Sequence, residues 1–337
     1  MSESISNRKL LVIAGGSPSS IIATYLYLSD GGVDPETVLE QMKAGEIQVV
    51  FTQAFQVGEH PRFGVSEALK AVRELPKDGQ VVWIGLGVNN QDPQMTENIF
   101  REIGIDRLHV VCDEHEPERW EALMEKLGFV SGQFSLKTKP EHRSAASIVA
   151  EDFGVPIYEI FVQAGDWADN RQMDVSDEAQ RIAFSISAAT KLRMGDNAFR
   201  VTALLHLLGD REARKEFYVR LEAAGPVYAA VEEALANAQM QGQILVVHKK
   251  EGEAGLVFDD TDAMNQGYAR APFVVVIGEK SGEGPCIQVG VNNSHPTLGK
   301  TNLLQVLADF GPTGIVPKVA IRGTENLFEI LVRLNAL

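Results

Sequence analysis

Short apolar runs alternate with helix-like stretches over the first 160 residues. The runs Lys9–Ala14 (KLLVIA), Ile47–Thr52 (IQVVFT), Gln80–Leu86 (QVVWIGL) and Leu108–Cys112 (LHVVC) are continuous in apolar side chains, which predicts strands buried on both faces. Between them, helical spacing predicts helices over Ile21–Leu28, Val65–Leu75, Thr96–Ile103, Pro117–Leu127 and Ser144–Phe153. A further apolar run, Ile157–Val162, reads as another strand. Strands of this kind alternating with helices predict an α/β fold, a parallel sheet with helices on both faces.

The pattern then changes twice. Asp177–Leu192, Asn197–Leu208, Arg211–Ala224 and Val227–Ala238 all fit helical spacing, with breaks at Gly195, Gly209 and Gly225-Pro226. After Gly242 strands return at Ile244–His248, Leu256–Asp259, Phe273–Gly278, Cys286–Val291 and Lys318–Ile321, with helices over Thr301–Asp309 and Glu325–Leu334. The expected organisation is an α/β domain over 1–194, a helical linker over 195–242 and a smaller mixed α/β domain over 243–337.

Composition adds bounds. With 45% apolar and 23% charged residues, the 337-residue chain is neither disordered nor fibrous. Two cysteines exclude a disulfide scaffold and a four-cysteine zinc site. No run suits a membrane span, and Met1–Arg8 lacks the apolar stretch of a signal peptide, so a cytoplasmic protein that does not enter the membrane is expected. The net charge is −15, from 31 basic and 46 acidic side chains. Residues 243–337 carry 8 basic and 10 acidic side chains and are nearly balanced, so the acidity lies in the first 242 residues. Such acidity argues against non-specific binding to duplex DNA.

Ligands of parallel sheets bind beyond the carboxyl ends of the strands. Four such ends carry candidates. Gly15-Gly16-Ser17-Pro18-Ser19-Ser20 offers backbone N–H groups and the hydroxyls of Ser17, Ser19 and Ser20 at a helix start, an anion site or a capped tight turn. It has no lysine, so it is not a Walker A loop. Gly85-Leu86-Gly87-Val88-Asn89-Asn90 carries no acid or base, and Asn89 is its polar candidate. Asp113-Glu114-His115-Glu116 follows the fourth strand and suits a divalent cation, or is a solvated acidic turn. Asp166-Trp167-Ala168-Asp169 places two acids in a turn after Ile157–Val162, as ligands or helix caps. His206, Trp83 and Trp120 read as packed core, and Cys112 as a buried strand residue.

A strand-end Asp-x-His, a later Asp-Trp-x-Asp, a helical linker and a small mixed C-terminal domain resemble the DHH phosphoesterase superfamily with its DHH-associated C-terminal domain. The resemblance covers nearly the whole chain as an order of elements. It implies hydrolysis of phosphodiester or phosphoanhydride bonds at two divalent metals, usually manganese, with the C-terminal domain clasping the substrate. Residue by residue, the motifs are degenerate. Where the first motif has two acids after its proline, this chain keeps Pro18 but has Ser19 and Ile21. Gly85 or a neighbour stands where a central strand should end in Asp. The naming Asp-His-His is represented by Asp113-Glu114-His115, and the fourth acid by Asp166 or Asp169. The glycine-rich substrate loop aligns with Gly311-Pro312-Thr313-Gly314, which has lost its histidine, and Asn292-Asn293-Ser294-His295 offers Asn292, Asn293 and His295 as polar contacts.

A pair of cations needs several bridging carboxylates. Ser19, Ile21 and Gly85 supply none, so a paired metal site is not expected. One manganese or magnesium ion on Asp113, His115 and Asp166 or Asp169, with Glu114 as a substitute, is the remaining option. The resemblance therefore implies a binder of a nucleotide, another phosphorylated small molecule or a short oligonucleotide, with catalysis weak or absent. The alternatives are an active single-metal phosphoesterase in which Asp113 and His115 are catalytic, and an assembly protein whose cleft is vestigial. A homo-oligomer is compatible with each of these readings.

Overall fold

The structure, a computed structural model, describes residues 9–337 except 30–32, 54–56, 61–63, 90–91, 115–116, 131, 139–143, 157–158, 170–172, 192–196, 250–257, 281–283, 293 and 316–317. The chain divides into two compact units. One comprises Met1–Thr190 and Gly195–Arg220; the other comprises Lys191–Met194 and Leu221–Leu337. Among the described residues, no helix is long and apolar enough to cross a membrane.

The first unit opens with β1 (Leu10–Gly15), α1 (Pro18–Ser29), α2 (Pro35–Ala44) and β2 (Ile47–Thr52). A two-residue hairpin, β3 (Glu59–His60) with β4 (Gly64–Val65), precedes α3 (Glu67–Glu74), β5 (Gln80–Ile84) and α4 (Pro93–Ile103). Then come β6 (Leu108–Asp113), α5 (Pro117–Leu127), β7 (Ser135–Thr138), α6 (Ala145–Phe153), α7 (Ile160–Asp169), α8 (Asp177–Lys191), α9 (Asn197–Leu207) and α10 (Arg211–Ala223). The sheet has the order β2-β1-β5-β6-β7, and every pairing is parallel. The continuous apolar runs explain this: all six residues of β1 are buried, as a strand covered on both faces requires. The expected α/β class is what the unit adopts.

Trp83, Phe100 and Trp120 form the centre of one core layer, with ring centroids 4.8 to 6.2 Å apart and tilted or edge-on geometry. Helix starts are capped as their sequences suggest. Asp34 accepts from Thr37 N at 3.0 Å, and Ser66 from Leu69 N at 3.0 Å. On the other side of the sheet, α1 packs on α6, α7 and α9, and α9 also packs on β2.

Two elements differ from expectation. The run Ile157–Val162 is not a strand among its described residues: α7 begins at Ile160, so Asp166 and Asp169 stand on a helix rather than in a strand-end turn. A short apolar run suits either structure. Here Glu159 decides it, because its carboxylate accepts from Phe161 N at 2.7 Å and starts the helix. Gly165 then lets α7 approach α6, since a Cβ there would lie 2.4 Å from Ala146 Cβ. In the second unit Phe258 and Asp259 are not in a strand: Asp259 caps α12 (Asp260–Gly267) by accepting from Asp262 N at 3.0 Å. Residues 256–257 of that expected strand lie outside the described residues.

The second unit contains α11 (Gly225–Ala236), β8 (Gln239–Gln241), β9 (Ile244–His248), α12, β10 (Phe273–Lys280) and β11 (Gly284–Val291). It closes with α13 (Leu303–Val306), a 3-10 turn at Ala308–Phe310, β12 (Thr313–Ile315), β13 (Lys318–Arg322) and α14 (Leu327–Asn335). The six strands lie in the order β12-β13-β11-β10-β9-β8; β9 and β10 are parallel and the other pairs antiparallel. This smaller mixed sheet is the one expected.

His206 is packed, as its apolar helix suggests. Its ring stacks on Phe217 at 4.4 Å, and its Nδ1 is buried without a hydrogen bond. Burial, helped by Arg214, lowers its pKa. A depressed histidine pKa means the unfolded chain binds the proton more readily. Stability from this site is therefore complete above about pH 6.5 and declines as pH falls below it. The melting temperature is expected to drop between about pH 6.5 and 5, and His206→Phe to flatten part of that slope. His109, also lowered by burial, supplies another part. Differential scanning calorimetry over pH 5–8 measures both.

Candidate functional site

In this strand order the chain leaves β1 toward one edge of the sheet and returns to β5 beside it, so β1 and β5 flank the point where a doubly wound sheet forms its crevice. The loops there are glycine-rich for a steric reason. A Cβ on Gly15 would lie 2.1 Å from the Gly85 carbonyl oxygen, and Gly85 has φ +55 with room for no side chain beside Ser20 Oγ. The two strand ends therefore touch.

The serines lock this contact. Ser17 Oγ accepts from Ser20 N at 3.1 Å and is hydrogen-bonded to the hydroxyls of Ser19 and Ser20, each at 2.8 Å. Ser20 Oγ donates to Gly85 O at 3.0 Å, and Ser19 Oγ donates to Asp169 Oδ1 at 2.8 Å. Ser19 and Ser20 are buried in the first turn of α1, and Asp169 is exposed at the end of α7. The network thus joins α1 to β5 and to α7.

Asp113 and Asp166 have different partners. Asp113 ends β6, is fully buried, and takes a hydrogen bond from Trp120 Nε1 on its Oδ2 at 2.7 Å. Asp166 is buried on α7 and accepts from Ser144 Oγ at 2.7 Å and from Ser147 Oγ. Buried carboxylates need such donors, because an unpaired charge is very costly away from water. Glu114 is half-buried after Asp113, and His115 lies outside the described residues. Cys112, in the same strand, is no nucleophile: burial, reinforced by Asp152, pushes its thiol up to about 12.

Arg200 is the residue that sequence reasoning missed. It lies on α9 with only 6% of its surface exposed. Its Nε donates to Gly16 O at 2.8 Å, and a second guanidinium nitrogen donates to Asn197 Oδ1. Gly16 is what admits it, since a Cβ there would lie 2.8 Å from the guanidinium carbon. The signal in the sequence was a lone cation in an apolar helix, NAFRVTALLHL, three residues after an asparagine.

The other candidates are tied into loops and turns. Asn89 is buried; its N–H donates to Thr96 Oγ1 at 3.0 Å, and its Oδ1 accepts from Asp92 N at 3.1 Å, shaping the entry to α4. In the second unit Asn292 donates to Tyr268 O at 3.3 Å and accepts from Ser294 N at 2.9 Å. His295 accepts from Leu298 N on Nδ1 at 3.1 Å, and Asn293 lies outside the described residues. Gly311, at φ +62, ends the 3-10 turn. Gly314, at φ +134, allows β12 to approach the Lys318 carbonyl oxygen.

Where the resemblance would place acids, after β1 and at the end of β5, the chain presents buried Ser19, buried Ile21 and Gly85. Among the described residues, no three His, Cys, Asp or Glu side chains gather to hold a metal ion. A guanidinium beside Gly16 further disfavours a second positive charge nearby.

By sequence the chain matches no family model and no curated protein. By structure it has the fold of the DHH phosphoesterases. It is similar to a pGpG-specific phosphodiesterase, PggH, from Vibrio cholerae, with TM-score 0.57 and 13% identity over 98% of this chain and 99% of that one. It is similar to the exonuclease RecJ bound to manganese, with TM-score 0.53 and 14% identity over 98% of this chain and 89% of that one. A DHH domain described as belonging to a member of the s1p family of ribosomal proteins gives TM-score 0.56 and 10% identity over 98% and 86%.

Proposed function

We propose that this chain is a DHH-fold protein that binds a phosphorylated nucleotide or short oligonucleotide and hydrolyses it weakly or not at all. The observation that carries the reading is Arg200, a buried guanidinium held against Gly16 beside Ser17, Ser19 and Ser20, where the family pattern has acids and metals. A guanidinium is always charged at neutral pH and suits phosphate oxygens. The serine hydroxyls and the first N–H groups of α1 favour the same negative charge.

The carboxylates support the absence of strong catalysis. Asp113, Asp166 and Asp169 each accept a hydrogen bond from a neighbouring side chain, from Trp120, from Ser144 and Ser147, and from Ser19. The fold neighbours supply the ligand class, since one is described as specific for pGpG and another is an exonuclease. RecJ is described as bound to manganese, and a single divalent cation on Asp113, His115 and Asp166 or Asp169, with Glu114 as a substitute, is the metal-dependent version of the site.

The test pairs metal analysis with binding. Purified protein soaked in manganese and desalted is expected to retain less than about one-tenth of an equivalent. A pGpG or short-oligonucleotide ligand at ~100 times its dissociation constant is expected to add about 2.7 kcal/mol to stability, unchanged by EDTA. Manganese-dependent turnover that Asp113→Asn abolishes would overturn the reading in favour of an enzyme. No stabilisation by any ligand of this class would overturn it in favour of an assembly role.

A further inference from the structure

Helix α9 carries Arg200 near its start and His206 near its end, about 9 Å apart along the axis. One aromatic ring of α10 holds both ends. Phe217, 2% exposed, stacks on His206 at 4.4 Å and on Phe199, the neighbour of Arg200, at 6.4 Å. Phe199 and His206 are about two helical turns apart and so share the face that α9 turns to α10. The grip of α9 on α10 and the hold of Arg200 on Gly16 therefore belong to one stiff element.

His206 is the part of that grip that can change charge. Its Nδ1 is buried without a hydrogen bond. An imidazolium carries a hydrogen on each ring nitrogen, so protonation buries an N–H that has no acceptor. The surroundings do not favour the added charge. From α10, Tyr218 meets the ring edge-on at 5.6 Å, and the Arg214 guanidinium, 5.9 Å from the Tyr218 ring, repels a cation at His206. Helix α1 and strand β2, which also pack on α9, have no acid or base apart from the Tyr25 and Tyr27 phenols, neutral below pH 8. Asp210, in the turn between α9 and α10, is engaged by the N–H groups of Glu212 and Ala213 and by Lys43 at 3.0 Å. Stacking of a cation on Phe217 offsets part of the cost. Burial and Arg214 together still lower the pKa of His206.

We propose that α9 couples a proton at His206 to the ligand at Arg200: when His206 is protonated, α9 loosens from Phe217 and the guanidinium loses its seat on Gly16. This rests on the reading that Arg200 belongs to a phosphate site. The ligand binds the docked helix, so its affinity falls as pH falls below about 6.5, and by linkage the ligand makes His206 harder to protonate. The sign separates this from direct electrostatics, which would run the other way because a cation at His206 attracts a phosphate.

Calorimetric titration of the full chain in EDTA tests this, with a short oligothymidylate lacking a terminal phosphate, whose charge is constant between pH 5 and 8. Each point is taken where circular dichroism shows the protein folded. Wild-type affinity is expected to fall about tenfold from pH 7.5 to pH 5, the effect of one pKa unit between docked and loosened α9. His206→Phe keeps a ring on Phe217 and cannot be protonated, so its affinity should vary less than about twofold over the same range. Arg214→Ala, at an exposed position, removes the repulsion and should move the loss of affinity to higher pH. A wild-type affinity that is constant or rises on acidification would overturn the proposal, as would an equal slope in His206→Phe; the phosphate site itself would stand. No binding at pH 7.5 would overturn the phosphate reading, and this coupling with it.

Discussion

Trp120→Ala is expected to lower the free energy of unfolding by about 5 kcal/mol, enough to leave little folded protein if the first unit has ordinary stability. Truncating a buried tryptophan costs about 3–5 kcal/mol through lost contacts and the cavity left behind. Here the ring touches Phe100 and Trp83 in the core, with centroids 5.4 and 6.2 Å away. The substitution also takes a donor from the fully buried carboxylate of Asp113, whose Oδ2 lies 2.7 Å from the indole nitrogen. Losing a partner of a buried charged group adds about 1–3 kcal/mol. Trp120→Phe separates the two effects: it keeps most of the ring and loses the N–H, so a loss of about 2 kcal/mol is expected. Urea denaturation followed by far-ultraviolet circular dichroism reads both. A loss in Trp120→Phe below about 0.5 kcal/mol would show that the indole is only packing.

Arg200→Met has the second large effect, and it is both structural and functional. The methionine fills most of the volume but leaves the Gly16 carbonyl and Asn197 without the guanidinium that bonds them. Hydrogen bonds from a charged group are worth about 1.5–3 kcal/mol each, so a loss of roughly 3 kcal/mol is expected. Stabilisation by a phosphorylated ligand should disappear with it. Arg200→Lys keeps the charge and loses the planar fork, so it should fold better than Arg200→Met and bind far more weakly than wild type. Thermal melts with and without ligand distinguish the roles. Ligand stabilisation that survives in Arg200→Met would remove the arginine from the binding site.

Much of the first sheet was legible because its strands are doubly buried and their sequences say so: LLVIAG, IQVVFT, QVVWI and LHVVCD are apolar almost without interruption. The fifth strand, Ser135–Thr138, was not, since an edge strand of four half-buried residues reads as loop. Helix α2 is absent from the expected helices, although Asp34-Pro35 opens it and Gly45 closes it at φ +72, the usual end signals. At the site, the loop serines and Asp113 follow from their place after strands. Their partners do not. Ser19 meets Asp169 across 150 positions and Arg200 meets Gly16 across 184, and no local spacing encodes contacts that only α1, α7 and α9 packing together creates. Trp120 reads as core and is core, but it also serves a carboxylate, a double role that its apolar neighbours conceal.

The meeting of Gly15 and Gly85 also fixes what these two positions tolerate. An aspartate at 85 would force a side chain into a left-handed backbone, 2.4 Å from Ser20 Oγ. A side chain at 15 would strike the opposing carbonyl oxygen at 2.1 Å. A carboxylate can therefore enter at either tip only if the two loops first move apart, so this corner of the sheet resists gaining metal ligands one substitution at a time.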